Sequence, residues 1–292
     1  MLRAVAKDAL AHLLAKHELL VMPCCFDALS ARLIELAGFR LTFMSGFAVS
    51  ASRLAQPDTG LISYGEMVDA GRDICSAVSI PVIGDADTGY GNSMNVKRTV
   101  QGYASAGFAS VMIEDQLAPK RCGHTRGKEV VPMNAALERI RAAVDARDEG
   151  ADVLILARTD AAYTHGIAEA IDRACRFHEL GADITFVEAP RTEADLERVA
   201  REVPGFKMAN MLEGGDTPLL KPSVLQEMGF HIAAYPLTLL STAVKAMQSA
   251  LRRMAEGEHP NDALISFEAL REVVGFDAYE REAARYREID LS

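Results

Sequence analysis

One device recurs along this chain: a helical segment closes on a glycine, and a short, almost uninterrupted apolar run follows. Ala37-Gly38-Phe39, Ala106-Gly107-Phe108, Leu180-Gly181-Ala182-Asp183 and Met228-Gly229-Phe230 are instances of it. Glycine ends a helix there in a left-handed conformation that other residues adopt at a cost. The apolar runs at residues 19–22, 40–44, 81–84, 109–113, 153–157, 184–187, 206–209 and 231–234 predict eight strands. They lack the polar alternation of a half-exposed sheet, so both faces are expected to be covered by helices, as in parallel crossover units. Helical patterns over 7–20, 29–37, 135–147, 167–180 and 193–202 fill intervals between them.

Eight such units predict a closed α/β structure, the (β/α)8 TIM-type barrel. An open doubly wound sheet is the competitor, but no Gly-x-Gly-x-x-Gly fingerprint follows the first run. With 292 residues, one barrel uses most of the chain, so residues 1–292 read as a single domain. The stretch 260–292 exceeds what a barrel needs and reads as a C-terminal helical extension, with helices over 262–274 and 279–289 that cover the barrel or a neighbouring subunit.

Charge narrows the partners. Asp and Glu total 41 against 31 Lys and Arg, a formal net charge of -10, which offers no steering field for nucleic acid. An anionic substrate must then be received by local cations or a metal. Asp8, His12 and Lys16 interrupt the N-terminus and no long apolar span is present, so neither a leader nor a membrane segment is expected. Five cysteines, an odd number without zinc-site spacing, point to a reducing, cytoplasmic setting. Cys24, Cys25, Cys75 and Cys175 read as core residues.

Barrel enzymes keep their chemistry at the C-terminal ends of strands. The residues that end the apolar runs here are Ser45 and Gly46, Asp85 and Asp87, Glu114, Arg158, Glu188 and Asn210. Carboxylates converging from Asp85, Asp87 and Glu114 would repel one another unless protonated or neutralised by a cation. All-oxygen ligation suits magnesium, with manganese as second choice, rather than zinc. A purely structural role for Asp87, capping the turn-forming stretch Asp87-Thr88-Gly89-Tyr90-Gly91-Asn92, stays open. Arg158 fits a substrate carboxylate clamp, or else pairs with Glu188 or Asp160. In Pro119-Lys120-Arg121-Cys122-Gly123-His124, cationic neighbours surround a thiol, which makes Cys122 an acid/base or nucleophile candidate, or the loop merely basic and exposed.

Taken in order, Ser45-Gly46, Asp85-Ala86-Asp87-Thr88-Gly89-Tyr90-Gly91-Asn92, Ile113-Glu114-Asp115-Gln116, Lys120-Arg121-Cys122-Gly123-His124, Ala157-Arg158-Thr159-Asp160 and Asn210-Met211-Leu212-Glu213-Gly214-Gly215-Asp216-Thr217-Pro218 resemble the isocitrate lyase and phosphoenolpyruvate mutase superfamily. The resemblance is nearest its dimethylmalate, methylisocitrate and petal-death-type lyase branches and its carboxyphosphonoenolpyruvate mutase branch. It implies magnesium held through Asp85 and Asp87, directly or by water, with Glu114 close by. It implies a substrate pocket formed by Ser45, Gly46, Phe47, Gly123, Arg158, Glu188, Asn210 and Leu212. It makes Cys122 the catalytic proton donor on a gating loop, with Glu114, Arg158 and His124 in the catalytic set. The implied partner is a small di- or tricarboxylate, and the implied assembly a homotetramer exchanging a C-terminal helix.

The reaction this resemblance implies is cleavage of a substituted malate to pyruvate and a small carboxylic acid. Carboxyphosphonoenolpyruvate phosphonomutase, 2-methylisocitrate lyase and oxaloacetate hydrolase activities are the alternatives, with a non-catalytic acid-binding barrel the least favoured. Where a tricarboxylate-cleaving branch carries an arginine after the eighth strand, this chain has Ser241, which favours a dicarboxylate. Phe47 replaces the small residue common after Ser-Gly in lyase relatives and would narrow the pocket or shape it for an alkyl group.

Overall fold

The computed structural model describes residues 6–122 and 127–286. The strands β1 (Leu20–Cys25), β2 (Thr42–Met44), β3 (Val82–Asp85), β4 (Ser110–Glu114), β5 (Leu154–Thr159), β6 (Ile184–Val187), β7 (Phe206–Asn210) and β8 (Ile232–Tyr235) pair in chain order, all parallel. β8 returns to β1, with Leu20 opposite Ile232, and closes the barrel. This is the predicted (β/α)8 fold.

Helices α1 (Ala6–Leu14), α2 (Ala28–Leu36), α3 (Gly46–Leu54), α4 (Tyr64–Ala77), α5 (Ser93–Ala106), α6 (Met133–Asp148), α7 (Ala161–Thr164), α8 (Ile167–Glu179), α9 (Glu193–Glu202), α10 (Pro222–Met228) and α11 (Thr238–Ala255) alternate with the strands. A short 3-10 turn, Asn261–Ala263, precedes α12 (Phe267–Val274) and α13 (Phe276–Ala284). Gly107 and Gly229 cap α5 and α10 in the left-handed region, at φ 99° and 102°, as the repeated device predicts. The helix expected over 7–20 ends at Leu14, because the chain turns through His17 at φ 53° to enter β1. Helix α13 starts three residues before the expected 279, and 287–289 lie outside the described residues.

Contacts divide the chain into two units, Met1–Leu239 and Leu240–Ser292. The first is the barrel; the second holds most of α11 together with α12 and α13. Among the described residues no helix is long and apolar enough to cross a membrane.

The barrel has two apolar layers, set by the period of two along each strand. Met22, Cys24, Leu41, Phe43, Ile83, Met112, Leu156, Phe186, Met208 and Ile232 fill the interior, and Leu10 and Leu14 of α1 join that cluster. Their neighbours Cys25, Met44, Val82, Val111, Ile113, Ile155 and Ala157 belong to the layer between strands and helices. At Gly84 of β3 a β-carbon would stand 2.7 Å from the Tyr103 ring and 2.8 Å from Phe108, so glycine is what lets α5 pack this closely. Cys25 and Cys75 are buried as predicted, whereas Cys175 is only half-buried on α8, with its thiol 3.5 Å from the Glu202 carbonyl.

His231 lies just before β8, at the end of the barrel opposite the strand C-termini, against His17 and Phe206. Its Nδ1 accepts the Lys207 N–H at 3.3 Å. Burial, with Lys207 and His17 nearby, pushes its pKa down to about 4. The unfolded chain therefore binds a proton here that the folded chain refuses, and stability from this group is lost as pH falls from about 6.5 towards 4. His231→Gln should lose less thermal stability than the wild type between about pH 7 and pH 4.5, measured by calorimetry.

Candidate active site

The period of two that fills the interior continues past the last apolar residue of each strand. Phe43, Ile83, Met112, Leu156, Phe186 and Met208 point inward. Two residues on in each case stand Ser45, Asp85, Glu114, Arg158, Glu188 and Asn210, so all six enter the mouth of the barrel and line one cavity. The alternate positions turn outward. Asp115 accepts from Thr159 Oγ1 at 2.7 Å, from the Asp160 N–H at 2.9 Å and from Arg173 of α8 at 3.0 Å, a network behind the wall rather than in the site.

Asp85 is held by two main-chain donors. Gly46 N–H reaches its Oδ2 at 3.1 Å and Asp87 N–H its Oδ1 at 3.1 Å. Gly46 begins α3, capped by Ser45, whose side chain accepts the Ala48 N–H at 3.4 Å. A β-carbon at Gly46 would lie 2.6 Å from Asp85 Oδ2, so glycine is what allows this approach. Asp87 does not cap the turn that follows. Its backbone is left-handed, at φ 49°, and Asn92 provides the capping box for α5.

Lys120 corrects a sequence expectation. Rather than flanking the thiol, its buried ammonium lies 2.5 Å from Asp58 Oδ1 and 2.8 Å from Asp87 Oδ1. Two buried carboxylates attract it more strongly than a neutral thiol could. Burial raises the Asp87 pKa to about 7, with Lys120 opposing and Asp85 and Asp58 adding to the rise. Glu114 is pushed well above the usual carboxylate range, again by burial first, with Arg158 opposing.

Arg158 pairs with the acidic groups around it, as one of its two expected roles has it. Its Nε and Nη2 donate to Asp160 at 2.8 and 3.1 Å, and the same atoms lie 3.2 Å from Glu114 Oε2 and Glu188 Oε2. Lys128 Nζ donates to Asp160 Oδ1 at 2.8 Å and balances part of that negative charge. Nη1 takes no part in these contacts, and the residue lines the cavity. Asn210 Nδ2 sits 3.3 Å from both oxygens of Glu188, which also accepts the Ala189 N–H.

The cavity is open at its mouth, and its empty space together with the solvent above it amounts to about 600 Å³. Cys122, Arg121 and Lys120 form one rim, and Phe43, Phe47, Phe186, Leu212, Pro236 and Leu237 form an apolar wall. Cys24 lies on its lining too, buried, with its thiol kept protonated chiefly by desolvation. Gly46 and Asp87 stand directly behind the lining, against Asp85 and Lys120. Gly123 and His124 lie outside the described residues. His165 is exposed on the fifth loop and hydrogen-bonded to Thr164, away from the cavity.

Asp58 and Lys128 are site groups that the sequence reading missed. Asp58 sits in Gln56-Pro57-Asp58-Thr59-Gly60, a turn that ends no strand, and Lys128 lies beyond the cysteine motif. A cation fits the acidic side of the mouth. The donors are all oxygen, and Glu114 Oε1 is buried without a hydrogen-bond partner. Among the described residues no three His, Cys, Asp or Glu side chains enclose an ion by themselves. Water would complete the shell, as magnesium prefers.

Fold and mouth together define a barrel enzyme whose polar groups are gathered on the strand ends. The chain matches the model of the phosphoenolpyruvate phosphomutase family over residues 10–255, and it belongs to that family, within the isocitrate lyase/PEP mutase superfamily of lyases and mutases. It is 42% identical to the 2,3-dimethylmalate lyase of Eubacterium barkeri over 91% of this chain and 92% of that protein. It is 41% identical to the chloroplastic carboxyvinyl-carboxyphosphonate phosphorylmutase of Arabidopsis thaliana over 94% of this chain and 83% of that one. A crystal structure of 2,3-dimethylmalate lyase superposes with a TM-score of 0.92 at 35% identity, covering 97% of this chain and 96% of the other. An oxaloacetate acetylhydrolase bound to 3,3-difluorooxalacetate gives 0.91 at 35%, covering 96% and 97%. A phosphonopyruvate hydrolase in complex with oxalate and Mg²⁺ gives 0.86 at 29%, covering 98% and 100%.

Gly46→Ala should displace Asp85 while sparing the core. Calorimetric titration with magnesium and oxalate is expected to show binding weakened by about tenfold or more, with an almost unchanged melting temperature. Wild-type binding in that variant would contradict the role given to Asp85.

Proposed function

We propose that this enzyme is a magnesium-dependent carbon-carbon lyase that cleaves a substituted, dicarboxylic malate resembling 2,3-dimethylmalate into pyruvate and a small carboxylic acid. The observation that carries the reading is the layout of one cavity. Its mouth sets the acidic strand ends beside the Arg158 guanidinium, a thiol on the rim, and an apolar wall where the departing fragment would lie. The similarity to 2,3-dimethylmalate lyase over nine-tenths of both chains supports it.

Asp85 and Asp87 would hold the ion, directly or through water, with Glu114 beside them. When bound, the ion supplies positive charge next to the substrate's carboxylate and 2-oxygen. Arg158 Nη1 and the Phe47 N–H at the N-terminal end of α3, next to Ser45 and Gly46, receive carboxylate oxygens. Asn210 and Glu188 orient the hydroxyl side, and Leu212 with Phe47 and Phe186 packs the alkyl groups. Glu114, whose proton affinity burial raises, takes the hydroxyl proton. The C2–C3 bond then breaks, its electron pair passes to C3, and the 2-oxygen becomes a carbonyl. The Cys122 thiol delivers its proton to C3, giving the carboxylic acid, and solvent carries the proton released by Glu114 back to the thiolate. We also assign Gly123 to substrate binding and His124 to the catalytic set, as the sequence resemblance implies. Reduced thiol chemistry accords with a cytoplasmic setting.

We also propose a homotetramer in which the C-terminal helices cover a neighbouring copy. Val244, Met247, Leu251 and Met254 form an exposed apolar stripe on α11, and Phe267, Leu270 and Val274 another on α12. Such stripes mark interaction surfaces. Light scattering should report a mass matching four chains, and Met247→Glu with Leu251→Glu a smaller one. A wild-type monomer would refute this assembly.

Product analysis by NMR should use 2,3-dimethylmalate, 2-methylisocitrate, oxaloacetate, phosphonopyruvate and carboxyphosphonoenolpyruvate. Pyruvate and propionate from dimethylmalate are expected, abolished by EDTA and restored by magnesium. A phosphorus-bearing product with no malate cleavage would overturn the lyase reading. Cys122→Ser should lower kcat by about 10²-fold or more while retaining oxalate binding.

A further inference from the structure

The segment between β4 and α6 carries Cys122, and its path depends on a side chain that the mechanism does not use. Gln116 is fully buried. Its Oε1 accepts the Arg121 N–H at 2.9 Å, and its Nε2 donates to the Arg121 carbonyl at 2.8 Å. The amide thus pairs with the Arg121 main chain as a neighbouring strand would. Exchanging its oxygen and nitrogen would set donor against donor and acceptor against acceptor, so the two bonds define its orientation.

The Gln116 backbone is itself anchored. Its carbonyl accepts from Arg139 of α6 at 3.1 Å, it bridges Val130, and the next residue's N–H donates to the Glu129 carbonyl at 2.8 Å. The Arg121 carbonyl belongs to the same planar peptide as the Cys122 nitrogen. Holding that oxygen therefore fixes the Cys122 N and Cα, leaving its own torsions to aim the thiol at the cavity that it lines.

We propose that Gln116 is a positioning residue for Cys122, acting through a reciprocal amide pair with the Arg121 main chain. Its catalytic meaning rests on the assignment of Cys122 as proton donor; the tie itself does not. A proton donor must sit within hydrogen-bond reach of the carbon it serves, and a displacement of about 1 Å can cost on the order of 10²-fold in rate.

Gln116→Met keeps the volume and removes both bonds; Gln116→Asn keeps the amide but withdraws it by a methylene. In the full-length enzyme, iodoacetamide labelling of Cys122 is followed by peptide mass mapping, with and without magnesium and oxalate, alongside kcat and KM for the cleaved substrate. Both variants should lose kcat by about tenfold to 100-fold with KM changed by about twofold at most. The shielding of Cys122 by magnesium and oxalate should also shrink in both. If Gln116→Met does not fold, Gln116→Asn decides on the same readouts. Wild-type kcat and shielding in a folded variant would overturn the proposal. Full turnover by Cys122→Ser would refute the proton-donor reading instead, and reduced shielding in the Gln116 variants would still support the tie.

Discussion

The alternation of side chains along eight parallel strands closed into a ring governs this molecule. In a closed barrel every second residue enters an interior that has no other outlet than its two ends. Phe43, Ile83, Met112, Leu156, Phe186 and Met208 fill that interior below the mouth. The next inward position on each strand is then the first with room for a polar group. Ser45, Asp85, Glu114, Arg158, Glu188 and Asn210 converge because they share a phase, and the apolar layers beneath them are the floor on which the site rests.

Convergence has an electrostatic consequence. Asp58, Asp85, Asp87, Glu114, Asp160 and Glu188 face Lys120, Lys128 and Arg158, so negative charge is in excess in a region of poor solvation. Burial above all raises the proton affinities of Asp87 and Glu114, and the neighbouring carboxylates add to the rise. Removing one partner from a buried pair of this kind costs on the order of 3–5 kcal/mol. The arrangement is therefore held against its own repulsion by the barrel and by hydrogen bonds from main-chain N–H groups, such as those of Gly46 and Asp87 to Asp85. A site that favours the arrival of a cation is one that folding alone would not choose.

Behind the mouth, Asp115, Thr159 and Arg173 join strands β4 and β5 to helix α8, while Lys128 ties the end of the cysteine-bearing segment to Asp160 and hence to Arg158. The cysteine-bearing segment and the Arg158 guanidinium are thus parts of one connected hydrogen-bonded structure. Gln116 serves the near side of that segment as Lys128 serves the far side.

Eight apolar runs, glycine-closed helices and the identities of the residues ending each run were legible from local pattern, because strand period, helix capping and turn chemistry act over a few neighbouring residues. Asp85, Glu114, Arg158, Glu188 and Asn210 were found that way. Parity was not legible, since strands covered on both faces are apolar at odd and even positions alike. Nor were the destination of Lys120, the part of Asp58, or the pairing of the Gln116 amide with Arg121. Each of these joins groups whose approach depends on how a loop crosses the barrel mouth. Burial there, and not sequence spacing, decides which charges and amides must find one another.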